Sequence, residues 1–332
     1  MSASGKRSEE PALIGLDWGT TSLRAYLFDS AGRVLATRAS RAGIMNLPRG
    51  GDFDAAFEAV CGDWLDDAPQ LPAIAAGMVG SAQGWREAPY VDTPAAADEL
   101  VAGLVRVRTA RGSVLHIVPG VIERGELPNV MRGEETQIVG ALAGDTGFGA
   151  NGQAVLVGLP GTHAKWAFVR GGRIEAFHTF MTGELFAALR NHTILGRTMA
   201  EPARPDMEAF LRGVSVAKTA DHAGLLATIF STRTLGLTAQ LQAEQQPDYL
   251  SGLLIGHELC GVAALLAARG GTLAGEMLGL VGETVLCERY RLALAEFGCA
   301  HAALVDSAAE RGLWRIASQA ALVAHAALPA AG

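Results

Sequence analysis

Asp17-Trp18-Gly19-Thr20-Thr21 closes one apolar run, Ala12 to Leu16, and leads into an alternating one, Ser22 to Phe28. Asp29-Ser30-Ala31-Gly32 then reads as a turn, and Arg33 to Thr37 returns as a third strand. Leu13 to Arg38 is therefore expected to be a three-stranded antiparallel meander. The arrangement recurs in the second half of the chain. Ala154 to Leu159, the turn Leu159-Pro160-Gly161-Thr162-His163, Ala164 to Val169, the tight turn Gly171-Gly172 and Arg173 to Phe177 again read strand, Gly-Thr turn, strand, short turn, strand. With Gly19 placed on Gly161, 142 positions apart, Thr20 falls on Thr162, Tyr26 on Phe168 and Leu27 on Val169. A repeat of about 20–50 residues signals a solenoid; one repeat at close to half-length signals a duplicated domain. Asp17 falls on Leu159, so one copy carries an acidic residue that the other lacks.

Outward from these hairpins, strands and helices follow each other in both halves. Asp52 to Leu65 has Phe53, Phe57, Val60 and Trp64 at helical spacing. Ala73 to Val79 reads as a strand ending in Gly80-Ser81, Asp92 to Val105 as holding a helix capped at Thr93 with Pro94 at its first position, and Val114 to Val118 as a strand. A loop rich in Gly, Pro and Asn leads to a helix from Glu134 to Leu142. Glycine-rich Gly144 to Gly152 marks a boundary. The expected division is a flexible tail 1–11, a first domain 12–148 and a second 149–332 whose terminal helix packs back on the first. In the second domain Met207 to Leu211, Leu225 to Leu235 and Asp248 to Arg269 have helical spacing. Glu276 to Val281 is expected as a strand ending in Gly282, Glu283 to Phe297 as a helix, Ala302 to Val305 as a strand and Ser307 to Ala327 as a helix capped at Ser307. The class is α/β.

Composition narrows the function. The chain has 332 residues, 49% hydrophobic and 18% charged; soluble domains average about 25% charged, so global disorder is excluded. A formal net charge of −7 argues against a nucleic-acid-binding surface. The four cysteines, Cys61, Cys260, Cys287 and Cys299, form no C-x-x-C pair, which disfavours zinc and fits free core thiols in a reducing cytoplasm. The opening MSASGKRSEEP is polar and no signal sequence is read there. Leu259 to Ala268 is the longest uncharged apolar run, short of the ~20 residues of a membrane span.

The motifs suggest an anion site. A glycine at a strand-to-strand turn lets backbone N–H groups approach phosphate, and Thr20 and Thr21 add hydroxyl donors. Asp17 would repel phosphate unless a cation intervenes, which suggests Mg²⁺; an ordinary hairpin is the plain reading. Gly161-Thr162-His163 is its counterpart, with Lys165 as a charge or as a solvated strand residue. Arg132-Gly133-Glu134-Glu135-Thr136 opens a helix, where acidic residues ordinarily complement the helix dipole; a carboxylate aimed at a substrate hydroxyl would instead be a general base. Leu280-Val281-Gly282-Glu283-Thr284 is a strand–Gly–helix junction that permits close approach of a flat ligand. Neither a G-x-x-x-x-G-K-[ST] loop nor a G-x-G-x-x-G after the first strand is present.

In this order, the pieces resemble the sugar-kinase, Hsp70 and actin superfamily. That implies two duplicated RNase H-like domains around an interdomain nucleotide cleft. The strings Gly77 to Ser81 (GMVGS), Gly84-Trp85, Ala88-Pro89-Tyr90, Asn129 to Gln137 (NVMRGEETQ), Pro160 to Trp166 (PGTHAKW), Met181 to Leu185 (MTGEL) and Ser251 to Gly256 (SGLLIG) resemble one family more closely, 2-dehydro-3-deoxygalactonokinase. The resemblance runs from about Leu13 to the terminal helix. It implies ATP- and Mg²⁺-dependent phosphorylation of the 6-hydroxyl of 2-dehydro-3-deoxy-D-galactonate, in galactonate breakdown.

The resemblance also implies roles. Asp17 organises Mg²⁺ through water. Gly19, Thr20 and Thr21 form the first phosphate turn, and Gly161, Thr162 and His163, with Lys165 nearby, form the second. Gly282, Glu283 and Thr284 form the adenosine motif. Glu134 is the general base with Glu135 second, because related sugar kinases carry a Gly-Asp-Gln helix start there. A guanidinium fork suits the substrate carboxylate, so Arg24, Arg86 and Arg132 are candidates, and Ser81, Gln83 and Trp85 follow a strand end where α/β folds place ligands. Rival readings are a kinase for another sugar acid, such as the 4-epimer 2-dehydro-3-deoxygluconate, and a nucleotide-dependent sensor of the same fold. The partners implied are the sugar acid and ATP, with no nucleic acid and no membrane; a homodimer stays open.

Overall fold

The computed structural model describes residues 10–47, 51–144, 148–149, 152–219 and 224–323. By its internal contacts the chain forms two compact units, Met1–Gln153 with Phe168–Phe177 and Asp306–Gly332, and Ala154–Ala167 with His178–Val305. Most of the expected tail, most of Gly144–Gly152 and residues 324–327 of the expected terminal helix lie outside the described residues.

The first sheet begins with the meander β1 (Pro11–Trp18), β2 (Leu23–Asp29) and β3 (Val34–Ser40), each antiparallel to the last. It continues through β4 (Ala73–Ala76), β6 (Val105–Arg108) and β7 (Val114–Ile117) in the order β3-β2-β1-β4-β7-β6, with β4 parallel to β1 and to β7. β10 (Val155–Leu159), β11 (Ala164–Arg170), β12 (Arg173–Phe180), β13 (Leu278–Leu280) and β14 (Ala303–Leu304) form the second sheet in the order β12-β11-β10-β13-β14. The two orders match strand for strand, with β6 as an extra antiparallel edge in the first. The duplication seen around Gly19 and Gly161 therefore extends to whole sheets. It slips after Val169 because Gly171 and Gly172, both at positive φ, make a shorter turn than Ser30 to Arg33.

Helix α1 (Phe53–Asp67) starts where Asp52 Oδ1 accepts the Ala55 N–H at 2.8 Å, a cap that contributes about 1 kcal/mol. It buries Phe57, Val60 and Trp64 against the first sheet. Two expectations for this region are corrected. The stretch read as a loop contains β8 (Gly120–Glu123) and β9 (Asn129–Met131), which with β5 (Tyr90–Asp92) form a three-stranded sheet. Short strands with Gly, Pro and Asn between them carry no period that a sequence reading can detect. The helix expected from Thr93 starts later, as α2 (Ala97–Ala102), because Thr93 and Ala95 donate their N–H groups to Ile122 and Ile174 carbonyls in strand-like bonds. Helix α3 (Glu134–Leu142) stands where expected.

The second unit is helix-rich: α4 (Thr182–His192), α5 (Met207–Thr219), α6 (Gly224–Thr228), α7 (Ser231–Leu237), α8 (Gln246–Ala268) and α9 (Thr284–Glu296). The single helix read over Leu225 to Leu235 is two, and α4 was not foreseen. α8 is long and apolar enough to cross a membrane by length and composition alone. In the fold it packs on α5, where a Cβ on Gly252 would lie 1.9 Å from the Phe210 carbonyl oxygen, and it buries Gln246, Asp248 and Glu258. The last helix, α10 (Ala308–Gln319), packs on α3 within the first unit. Ser307 precedes it at a left-handed φ of 50° and makes no side-chain capping bond, so the expected Ser307 cap is corrected. All four cysteines are free thiols.

Candidate active site

Three backbone segments of the first unit converge at one point. Gly77, after β4, has φ 99°, and a Cβ there would stand 2.8 Å from the Trp18 carbonyl oxygen at the end of β1. Gly133, before α3, has φ 110°, and its Cβ would meet the Gly77 Cα at 3.1 Å. Only glycine reaches such φ values without strain, so this contact is built into the sequence. It brings the ends of β1 and β4 to the start of α3, and with them Asp17 and Glu134.

The first Gly-Thr turn is held from outside. Gly19 N–H donates to the Ser22 carbonyl at 2.9 Å, closing the hairpin. The Gly19 and Thr20 carbonyls accept from Ile44 and Met45, and Asn46 Nδ2 donates to the Thr21 carbonyl at 2.8 Å. Thr20 and Thr21 themselves are exposed. Trp18 is buried, donates Nε1 to the Ala42 carbonyl at 2.8 Å, and sits in a ring cluster with Phe53 and Trp85.

The carboxylates divide their work by burial. Glu135 is fully buried; its Oε2 accepts the Gly133 N–H at 2.7 Å and its Oε1 the Thr136 hydroxyl at 3.0 Å. Burial, with Glu134 adding repulsion, pushes its carboxyl up to about 7. Glu134 is half-buried and accepts the Arg132 N–H at 2.9 Å. Asp17 is raised by burial, opposed by Arg24, and raised further by the charges of Glu310 and Glu134. A carboxylate at a phosphate turn suits a hard cation held through water. Asp17 is the residue of this chain placed to hold Mg²⁺ through water, and no group of three or more ligating side chains stands together among the described residues.

The predicted substrate residues separate. Arg24 lies opposite Asp17 in the β1–β2 register and beside it electrostatically. Arg132 donates Nη2 to the Ala88 carbonyl at 2.8 Å and lies 4.4 Å over the Tyr90 ring. Its Nε and Nη1, and the Ser81 hydroxyl, are buried with no hydrogen-bond partner among the described residues. Trp85 stacks on Phe53 at 5.9 Å and 13°, so one face of its ring is committed to the core. Gln83 and Arg86 are exposed.

The second turn has its own support. Lys165 is buried and donates Nζ to the His163 carbonyl at 3.3 Å, which corrects the reading of it as a solvated strand residue. His163 Nε2 is hydrogen-bonded to Glu184, and the Glu184 N–H donates to the Thr162 carbonyl at 3.0 Å. Gly161 and exposed Thr162 therefore rest on the first turn of α4, and a Cβ on Gly183 would stand 2.5 Å from the Gly161 carbonyl oxygen. Gly282, φ 151°, approaches the Pro160 carbonyl. Glu283 is the N-cap of α9, accepting from Val285 and Leu286 N–H at 3.0 and 2.8 Å, so its carboxylate is spent on the helix; Thr284 is exposed beside it. A cavity of about 310 Å³ in this unit is lined by Gly161, Phe186, Ser251, Leu254, Leu286 and Arg289, among others. Glu184 and this cavity escaped the sequence reading; the string MTGEL was the available signal.

Duplicated sheets with a Gly-Thr turn after the first strand of each define an actin-like sugar-kinase fold. The 2-keto-3-deoxy-galactonokinase family profile matches residues 17–316, and the chain belongs to that family. It is 34% identical over 306 residues to the 2-dehydro-3-deoxygalactonokinase of Escherichia coli (strain K12), covering 92% of this chain and 97% of the relative. DgoK1 of Rhizobium meliloti (strain 1021), which carries the same enzyme name, is 37% identical over 310 residues, covering 90% and 94%. A Sinorhizobium meliloti crystal structure named for the same kinase superposes with a TM-score of 0.81 at 34% identity, covering 92% of this chain and 98% of that one. The chain is a sugar-acid kinase by family.

Proposed function

We propose that this protein transfers the γ-phosphoryl group of ATP to the 6-hydroxyl of 2-dehydro-3-deoxy-D-galactonate and works in the cytoplasm; the relatives it matches are named as kinases of 2-dehydro-3-deoxygalactonate. The observation that carries the residue roles is the convergence of Asp17, Gly77 and Gly133-Glu134. Glu134 takes the proton from the 6-hydroxyl; the O6–Pγ bond forms as the bond from Pγ to the bridging oxygen breaks, and ADP leaves. Glu134 is chosen over Glu135 because Glu135 is sealed and already accepts two hydrogen bonds, one of which fixes the Gly133 turn. Mg²⁺, when bound, would neutralise phosphate charge, and Asp17 would hold it through water. Each Gly-Thr turn has the donors to take phosphate oxygens, and positioning with charge neutralisation supplies most of such a reaction's acceleration.

Arg132 is assigned to the substrate carboxylate. Its buried, unpartnered Nε and Nη1 are costly as they stand, and a carboxylate is the acceptor class that would satisfy such charged donors. Arg24 is turned to Asp17 and Arg86 to solvent. The test is the product: ¹³C and ³¹P spectra of the reaction mixture should show the phosphate ester at C6 alone. An ester at another carbon would overturn the assignment.

A further inference from the structure

We propose that Glu258 is a positioning residue for nucleotide binding, acting through Thr182 on the Gly161–Thr162 turn. The inference rests on the reading of that turn as a phosphate site. Glu258 lies on α8 and is 3% exposed. Its Oε1 accepts the Trp166 indole N–H at 2.6 Å, and its Oε2 accepts the Tyr290 hydroxyl at 2.8 Å and the Thr182 hydroxyl. These partners come from three other elements: β11 just after the turn, α9 just after Gly282, and the first residue of α4. Indole N–H can only donate, so the carboxylate is the common acceptor that joins them.

The path from Glu258 to the turn is short. Thr182 is followed by Gly183, whose missing Cβ lets the chain pass against the Gly161 carbonyl. Glu184 then donates its N–H to Thr162 and binds His163 with its carboxylate. Thr182 and Tyr290 also line the 310 Å³ cavity beside Gly161. One buried carboxylate thus sets where the turn sits relative to the cavity wall. A carboxylate serving packing alone would be replaceable by any side chain that fills its volume.

The experiment compares wild type, Thr182→Val, Thr182→Ser and Glu258→Gln by calorimetric titration with MgADP and by steady-state kinetics. Thr182→Val removes the Thr182 hydroxyl from Glu258 and from its contact with Tyr290, and leaves the Trp166 and Tyr290 bonds to Glu258 in place. Its Kd for MgADP and KM for ATP should rise about tenfold, the order of one lost buried hydrogen bond, with KM for the sugar acid within about twofold. Thr182→Ser should restore affinity, and Glu258→Gln should weaken MgADP binding while the chain stays folded. Unchanged MgADP affinity in both Thr182→Val and Glu258→Gln would overturn the proposal, as would an equal rise in both KM values. Wild type that binds no MgADP would overturn the phosphate-site reading together with it, and the two failures are thereby told apart.

Discussion

Gly133 and Gly77 meet backbone to backbone: a Cβ on Gly133 would stand 3.1 Å from the Gly77 Cα, and one on Gly77 would stand 2.8 Å from the Trp18 carbonyl oxygen. Both residues hold positive φ. The start of α3 is therefore pinned to the end of β1 by contacts that no side chain can enter, and the distance from Asp17 to Glu134 is fixed by the same contact.

Gly77→Ala should cost stability and activity together. The alanine needs both a left-handed φ and a shift of β1, so a loss of about 1–3 kcal/mol is expected, with kcat down by about tenfold or more as Asp17 moves. Urea unfolding and turnover on the same preparation measure the two. Gly125→Ala, where a Cβ meets nothing within 4 Å, is the control.

Glu134→Gln should lower kcat by about 10²–10⁴-fold, the range for a general base, with MgATP affinity retained. Glu135→Gln should keep far more activity. If only Glu135→Gln abolished turnover with nucleotide still bound, the base would be Glu135.

Glu135 also makes stability depend on pH. Its carboxyl is raised from 4.5 to about 7 in the fold by burial, so the native chain holds a proton that the unfolded chain has released. Its favourable contribution is complete below pH 4.5 and is lost as pH rises through about 7. Glu135→Gln should therefore gain on wild type across that window, by a few kcal/mol at most. Melting temperatures from pH 4.5 to 8 would reveal it; parallel curves would contradict the assignment.

Arg132→Lys should raise KM for the sugar acid by about tenfold or more, because a point charge does not replace a fork, and leave KM for ATP in place. A rise confined to ATP would move the carboxylate site elsewhere.

Glu283→Ala should cost about 1 kcal/mol as a lost helix cap. Since both carboxylate oxygens serve Val285 and Leu286 N–H groups, KM for ATP should change little. A tenfold rise without loss of stability would return Glu283 to the nucleotide.

The meander, the repeat and most of the helices, α4 and the break between α6 and α7 excepted, were legible because hydrophobic period and turn residues are local. So were the positions of Asp17, the two Gly-Thr turns and Glu134 at the ends of elements, which the strings mark; the roles given to them are proposals. What escaped depends on long-range contact. The β5–β8–β9 sheet is made of three- and four-residue strands. Lys165 could be read as a phosphate charge or as a solvated strand residue, and its burial in β11 removes the second reading. Glu258 looks like one more charge on a helix until Trp166, 92 positions away, donates to it. Trp85 was expected to face substrate, and its stacking on Phe53 depends on how α1 crosses the sheet.

The most direct test is ADP release by the purified protein with MgATP and 2-dehydro-3-deoxy-D-galactonate, beside its 4-epimer and a reaction without sugar. Turnover should require the sugar acid and favour the galactonate epimer. ADP release indifferent to any sugar, or nucleotide binding with no turnover on either epimer, would contradict the proposed function.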